Sequence, residues 1–396
     1  MNKPKVAVVG CGYWGKNLVR NFSEMGVLQS VCDPNVEQAE AYSKKYNVSQ
    51  LSFEETLSSE VDGVVIAAPA EQHYTLAKAA LLAKKHVFVE KPISLSINEA
   101  EELCELSRAQ DKILMVGHLL QYHPAFVMLK KMTQEGKLGK LQYIYSNRLN
   151  LGKFRNEENI MWSFAPHDIS MILSLAGSLP TSVLSTGAAH LNPHIHDVTT
   201  THMSFHNGLQ SHVFVSWLHP FKEQKLVVVG EKGMVVFDDG HSWDEKLKLY
   251  PHKVNWINGF PQPQKAEYEA ISLEENEPLR MECQHFIKCI ETNTKARTDG
   301  YEGLDVLKVL DASQESLMSR KEVLLGANGN SQLTYFVHDT ACVDSGCEIG
   351  KKTKIWHYSH ILKGTKMGEN CIVGQNVMIG PDVTIGDDCK IQNNVS

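Results

Sequence analysis

The chain has 396 residues, 42% of them apolar and 21% charged, with a formal net charge of −7. That length predicts two or three domains, and that balance a soluble globular protein with no dense basic run for non-specific nucleic-acid binding. No apolar stretch has membrane-spanning length, the N-terminus lacks a signal-peptide core, and the nine cysteines are scattered without a CxxC pair, so a cytoplasmic protein with reduced thiols is expected.

From residue 5 to about residue 117, short runs rich in Val and Ile alternate with helix-forming stretches. Residues 5–9, 27–32, 63–67, 86–89 and 113–116 read as strands, and residues 14–25, 36–46, 72–83 and 97–110 as helices. This βαβα alternation predicts a parallel sheet covered on both faces. After Pro124 the pattern changes. A helix is expected over 125–135, then strands over 141–151, 182–186, 198–205, 209–217, 225–229 and 234–238, then helices over 280–291 and 304–319. Grouped strands with helices to cover one face predict a largely antiparallel sheet. Residues 319–332 are weakly patterned and hold Gly326, Asn328, Gly329 and Asn330.

The last segment is a repeat. Val343, Ile349, Ile355, Ile361, Met367, Val373, Ile379, Ile385 and Ile391 fall six residues apart, and four residues after each comes a small or β-branched residue, from Cys347 to Val395. Two registers held over consecutive hexapeptides are the signature of a solenoid.

Gly10-Cys11-Gly12-Tyr13-Trp14-Gly15 follows a predicted strand and opens a predicted helix, the context a GxGxxG motif needs. Gly10 allows a tight turn, Gly12 lets backbone approach a pyrophosphate, and Gly15 lets helix and strand pack closely, with the helix N-terminus facing the phosphates. Asp33 ends the second strand about 20 residues on, where a carboxylate binds ribose hydroxyls and repels a 2′-phosphate; this predicts NAD rather than NADP. Ala67-Ala68-Pro69 ends the third run and is expected to lie against the cofactor, with His73 on the next helix read as a surface or cap residue. Glu90-Lys91-Pro92 follows the fourth run, at the carboxyl edge where ligands bind in such sheets.

These features together resemble the Gfo/Idh/MocA oxidoreductases over roughly residues 5–320. The resemblance implies a Rossmann domain holding NAD through Gly10, Gly12, Tyr13, Trp14, Gly15, Asp33, Ala68, Pro69, Glu90, Lys91 and Pro92, and a cis bond before Pro92. It places Lys91 in the catalytic site. A second family motif maps to Trp162-Ser163-Phe164-Ala165-Pro166-His167-Asp168, where many members have Asp in place of Ser163. His167 is retained, and a mechanism needing a carboxylate at 163 is in doubt. Oxidising a secondary alcohol moves a hydride to the nicotinamide and a proton to a base. Histidine titrates near neutrality unaided, and lysine does so once burial and cationic neighbours lower its pKa. His167 as base with Lys91 as polarising cation is one assignment, and the reverse is the other. No metal is required, and His194 and His196, in HxH spacing, read as loop residues.

The C-terminal repeat resembles the left-handed parallel β-helix of hexapeptide acyltransferases. Lys354-Ile355-Trp356-His357-Tyr358-Ser359-His360 is similar to the start of N-acetyltransferases of nucleotide-linked amino sugars. Ser146–Gly152 and Ser216–Pro220 in turn resemble UDP-N-acetylglucosaminuronate 3-dehydrogenases. A ketone made by one half and an acetamide by the other would be joined by an aminotransferase step. The substrate expected is therefore a nucleotide sugar, met by Lys91, Arg148, Lys153, Arg155, Ser163, His167 and Asp168. The fold expected is α/β. Residues 1–122 form a doubly wound Rossmann domain, 123–322 an α+β substrate and oligomerisation domain, 323–336 a linker, and 337–396 an incomplete β-helix of about three coils. That β-helix is expected to lack acetyl transfer and to assemble a homo-oligomer. The alternatives are a non-catalytic NAD-binding scaffold or a truncated bifunctional dehydrogenase/N-acetyltransferase.

Overall fold

The computed structural model describes residues 3–152, 154–325, 335–338, 340–344 and 346–395. They form two compact units, Met1–Ala327 and Asn328–Ser396.

The first unit begins with six parallel strands: β1 (Val6–Val9), β2 (Leu28–Cys32), β3 (Ser49–Gln50), β4 (Gly63–Ile66), β5 (His86–Val89) and β6 (Leu114–Val116). They run in the order β3-β2-β1-β4-β5-β6, the Rossmann order, so the chain reverses its direction of travel between β1 and β4. Every residue of β1 and β4 is buried, because helices cover both faces. The helices are α1 (Gly15–Glu24), α2 (Val36–Tyr46), α3 (Phe53–Ser58), α4 (Ala70–Leu82) and α5 (Ile97–Ala109). The short β3 and α3 add to the elements expected from sequence; α3 is held by a full capping box between Ser52 and Glu55.

The second half of this unit follows α6 (Pro124–Gln134). Its strands are β7 (Leu141–Leu149), β8 (Ser182–Ala188), β9 (Val198–Ser204), β10 (Gln210–Ser216), β11 (Glu223–Gly230), β12 (Met234–Asp238), β13 (Leu247–Tyr250), the hairpin β14 (Lys253–Ile257) and β15 (Phe260–Gln264), β16 (Glu269–Ala270) and β17 (Val323–Leu324). All but the hairpin join one sheet, ordered β16-β13-β12-β11-β7-β10-β9-β8-β17. Neighbours are antiparallel except β7 and β10. Between β7 and β8 lies α7 (Ile160–Ala176), a 17-residue helix absent from the sequence expectation. It packs its apolar residues into the core beneath the sheet, together with Phe126, Val213 and Trp217.

Two further helices tie the halves together. Residues Leu279, Cys283 and Phe286 of α8 (Pro278–Thr292) sit in the core of the parallel sheet, with the Phe286 ring 5.7 Å from that of Phe88. In α9 (Gly300–Ser319), Leu304 and Leu307 face the parallel sheet while Val306, Val309 and Leu310 face the large one. The segment 323–336, read above as linker, gives its first two residues to the large sheet and Phe336 to the solenoid.

In the second unit, two-residue strands pair in parallel with partners 18 residues on, such as Phe336 with Lys354 and Cys342 with His360. Three hexapeptides thus make one coil of a short parallel β-helix. Ile355, Ile361, Met367, Val373 and Ile379 fill its interior. The second register earns its small residues: Thr353 and Ser359 hydroxyls turn inward and satisfy the backbone of the next coil, as in Ser359 Oγ to the Gly374 carbonyl at 2.6 Å. From residue 346 on, the corners take a positive φ, at residues 346, 352, 358, 364, 370, 376, 382, 388 and 394.

Candidate active site

The glycine loop sits where β1 hands over to α1. Gly10 has φ +92°, and a Cβ there would lie 2.6 Å from the Ala67 carbonyl oxygen. At Gly15 a Cβ would fall 1.9 Å from the Gly10 carbonyl oxygen, so helix and turn meet only because no side chain intervenes. Nothing lies within 4 Å of a Cβ at Gly12, the open approach a pyrophosphate needs. No side chain caps α1, and the Lys16 and Asn17 N–H groups donate to the Gly12 and Trp14 carbonyls, so this end of the helix offers an anion its partial positive charge. Asp33 Oδ2 accepts from the Cys11 N–H at 2.6 Å and Oδ1 from the Asn35 N–H at 2.8 Å, fixing the carboxylate beside the loop. These residues fit NAD: Gly12 and the N-terminus of α1 would hold its phosphates and Asp33 its adenosine ribose.

The carboxyl ends of β5 and β6 carry the other candidate residues. Trp14 Nε1 donates to Glu90 Oε1 at 2.5 Å, coupling the glycine loop to the Glu90-Lys91-Pro92 turn. The Lys91–Pro92 peptide is cis, as the family resemblance implied. Lys91 Nζ donates to the backbone carbonyl of Ser163 at 3.0 Å, so position 163 holds the ammonium through its main chain. His73 is buried and no surface or cap residue: Nδ1 lies 2.6 Å from the Pro92 carbonyl and Nε2 2.9 Å from that of Ala68. It therefore bridges the two loops expected to line the cofactor.

α7 brings His167 to the same place. Its Nδ1 is shielded from water and has no partner among the described residues. Loss of hydration, then the charges of Lys91, Arg148 and His118, hold the imidazole well below its usual 6.5. Desolvation also lowers the Lys91 ammonium from 10.5, aided by Arg155 and Arg148 and opposed by Glu158 and Glu90. Burial raises the Glu90 carboxyl against the Trp14 hydrogen bond and the Lys91 charge.

His118 was missed from the sequence. It is buried, its Nδ1 lies 2.6 Å from Glu302 Oε2, and its ring stands edge-on to His167 at 6.4 Å. Glu302 also accepts from Ser170, which accepts from Gln121, so helices α7 and α9 hold the ring. The signal was available: Gly117-His118 follows the last parallel strand, the edge that carries ligand-facing residues.

The remaining substrate candidates separate. Arg148 and Asp168, expected to meet substrate, are buried and paired with each other. Asp168 accepts from Arg148 Nε at 2.6 Å and Nη2 at 3.1 Å, and from Ser146 Oγ at 2.5 Å. The pair joins β7 to α7. Arg155 is exposed and pairs with Glu158 at 3.1 Å. Lys153 lies outside the described residues.

A loop, an acid and a Lys–His pair at one sheet edge are the parts of a nicotinamide dehydrogenase, and comparison with known proteins decides the family. The oxidoreductase family with an NAD-binding Rossmann fold matches residues 4–118, and the GFO/IDH/MocA C-terminal domain matches residues 126–236. The first unit is that of a Gfo/Idh/MocA oxidoreductase. Its cofactor is NAD. The bacterial transferase hexapeptide family matches residues 346–380 and 364–396. A relative of this oxidoreductase, UDP-N-acetylglucosamine 3-dehydrogenase of Acidithiobacillus ferrooxidans, is 25% identical over 306 residues, 76% of this chain and 94% of the relative. The scyllo-inositol 2-dehydrogenase (NAD(+)) of Bacillus subtilis is 25% identical over 304 residues, 72% of this chain and 86% of that one. The solved structure of the Acidithiobacillus ferrooxidans enzyme shares the fold with a TM-score of 0.72 and 24% identity, over 81% of this chain and 99% of its own. All nine cysteines of this Gfo/Idh/MocA protein are free, and no helix among the described residues is long and apolar enough to cross a membrane.

Proposed function

We propose that this oxidoreductase oxidises the C3 hydroxyl of a UDP-linked N-acetylhexosamine, in its uronic acid form as in UDP-N-acetylglucosaminuronate, to a 3-keto sugar for surface-polysaccharide synthesis. The observation that carries the reading is that α7 brings a His167 with an unpartnered Nδ1 close enough to Lys91, at the end of β5, for the lysine charge to bear on it, while Lys91 is held by the Ser163 carbonyl of the same helix. The relative named UDP-N-acetylglucosamine 3-dehydrogenase supports both the carbon and the nucleotide sugar.

Bound NAD supplies the hydride acceptor. His167, neutral because the cleft disfavours its charged form, takes the hydroxyl proton. Lys91 keeps its proton and stabilises the developing alkoxide, with the Ser163 carbonyl orienting the ammonium. His118, anchored by Glu302, lines the cleft beside His167. The hydroxyl proton thus goes to His167, and NAD, when bound, would supply the acceptor for the carbinol hydride, so that a ketone is left. A 3-keto sugar is a substrate for an aminotransferase, and an acetyl transfer would complete the acetamide. The β-helix serves homo-oligomer assembly, a reading supported by its hexapeptide match.

UDP-N-acetylglucosaminuronate and UDP-N-acetylglucosamine, each incubated with NAD and followed by NADH absorbance, test the substrate. Borodeuteride trapping then locates the ketone. Deuterium at C3 of the uronate is expected; deuterium at C4, or reaction of free polyols alone, overturns the reading. Lys91→Ala and His167→Ala are each expected to lower turnover by about a hundredfold or more with NAD affinity intact.

A further inference from the structure

The β-helix carries a side-chain cluster that neither the dehydrogenase chemistry nor the hexapeptide fold uses. Cys342 and Asp344 are two apart on one strand and its continuation, so they share the outward face, with Val343 turned to the core between them. His360 is the register partner of Cys342 one coil further on, a lateral step of about 4.8 Å. Cys342 Sγ, Asp344 Oδ1 and a His360 ring nitrogen all lie within 4.8 Å of one another. His360 Nε2 is 2.8 Å from Asp344 Oδ1, and Cys342 Sγ is 3.9 Å from the same oxygen.

We propose that Cys342, Asp344 and His360 bind one zinc-type divalent cation and thereby clamp the first coil of the β-helix to the second. Zinc takes Cys, His and carboxylate donors at about 2.0–2.3 Å, which sets donor-to-donor separations of roughly 3.3–3.7 Å in a tetrahedron. The observed separations bracket that range, so side-chain rotation of about an ångström closes the set without moving backbone. One thiolate, one imidazole and one carboxylate with a fourth position for water match zinc better than the all-oxygen preference of magnesium or calcium. Binding would release the Cys342 thiol proton to solvent, and the Nε2 proton that His360 now donates to Asp344 would move to Nδ1 or to solvent, so that Nε2 presents its lone pair to the ion. All three residues are reachable, Cys342 being exposed and the other two half-exposed.

The place of the cluster gives the ion a task. Among the described residues, the strands at Phe336–Val337, Cys342–Val343 and Glu348–Ile349 have a neighbour on one side only. A cross-coil ligand set converts metal-binding free energy into stability of that edge coil.

The test uses the full chain, stripped with a chelator under a phosphine reductant and titrated with cobalt(II) alone. One equivalent per chain is expected, with a thiolate-to-cobalt charge-transfer band, and zinc should displace it. Cys342→Ser should abolish the band and weaken binding at least about a hundredfold. His360→Gln, which keeps a donor to Asp344 but is a poor ligand, should do the same and guards against a folding defect in the cysteine variant. Cys347→Ser, whose thiol hydrogen-bonds to the Ile361 and Leu362 carbonyls, should leave the band intact, as should a His194→Ala/His196→Ala double variant. Absence of the band in the wild type, or undiminished binding by both Cys342→Ser and His360→Gln, would reduce the cluster to an Asp–His ion pair and overturn the proposal.

Discussion

Removing Asp168 separates a structural role from a substrate role for Arg148. The Asp168 side chain is 1% exposed and that of Arg148 10%, so Asp168→Ala strands a guanidinium in the core, while the Ser146 hydroxyl keeps the Lys225 carbonyl at 3.2 Å. Breaking a buried pair from one side costs about 3–5 kcal/mol. The lower end applies here, because the Gln224 amide, with its oxygen turned toward Arg148, accepts from Nη1 at 3.1 Å. About 3 kcal/mol corresponds to a fall of roughly 6–12 °C in the melting temperature of the first unit, at about 2–4 °C per kcal/mol. The transition belonging to that unit is the one NAD moves upward. Replacing both partners, as Arg148→Met with Asp168→Leu, should recover more than half of the loss, because no unpaired charge then remains buried. A melting loss below about 2 °C for Asp168→Ala, accompanied by a large rise in KM for the nucleotide sugar, would refute the structural reading and return Arg148 to the substrate.

Three other outcomes follow from the site. The pH profile of kcat/KM should have its acid limb below 6.5, where His167 takes a proton, and an alkaline limb below 10.5, where Lys91 loses one; a rate that instead climbs through the alkaline range as Lys91 deprotonates would exchange the two roles. Asp33→Ala should weaken NAD about tenfold to a hundredfold through lost charged hydrogen bonds and narrow the gap to NADP, with titration calorimetry as the measurement and tighter NADP binding by the wild type as the refuting result. Gly15→Ala, which forces a carbon to 1.9 Å from the Gly10 carbonyl oxygen, should push strand and helix apart and lower NAD affinity by at least about tenfold; unchanged affinity would mean the turn tolerates a wider crossing.

Much of this architecture was readable because the physical signals were local. Val/Ile runs bounded by Gly, Pro or Asp marked β1, β2, β4, β5 and β6, and a six-residue period marked the solenoid. α7 escaped for the opposite reason: nearly every face is buried, so no stripe of period 3.6 stands out, and Pro166 inside it breaks the pattern further. The hairpin β14–β15 is exposed along its whole length and holds Pro261 and Pro263, which speak against a strand until a two-stranded ribbon is seen. At the site, the glycine loop, Asp33, Lys91 and His167 each sit in a motif with a fixed chemical purpose. His118 and His73 do not. Their roles depend on partners 184 and 19 residues away, at Glu302 and Pro92, which only folding brings near. Arg148 and Asp168 likewise looked available as isolated charges, and it took the crossing of β7 and α7 to reveal that they neutralise each other.

The corner geometry of the β-helix turns chain length into a ruler with coarse graduations. Left-handed corners recur at every sixth position, and strands meet their neighbours at intervals of 18. An insertion or deletion of 18 residues would shift everything after it by about 4.8 Å along the axis and leave each side chain on its original facet. A change of six would rotate all later residues by a third of a turn, carrying every outward ladder to a new facet while keeping the interior apolar. Any other number would put a corner residue on a flat and a core residue in water. Variation in the length of such a segment is therefore quantised. A surface patch built on one facet can be lengthened by whole coils, or transferred to another facet by a single hexapeptide, without redesigning the interior.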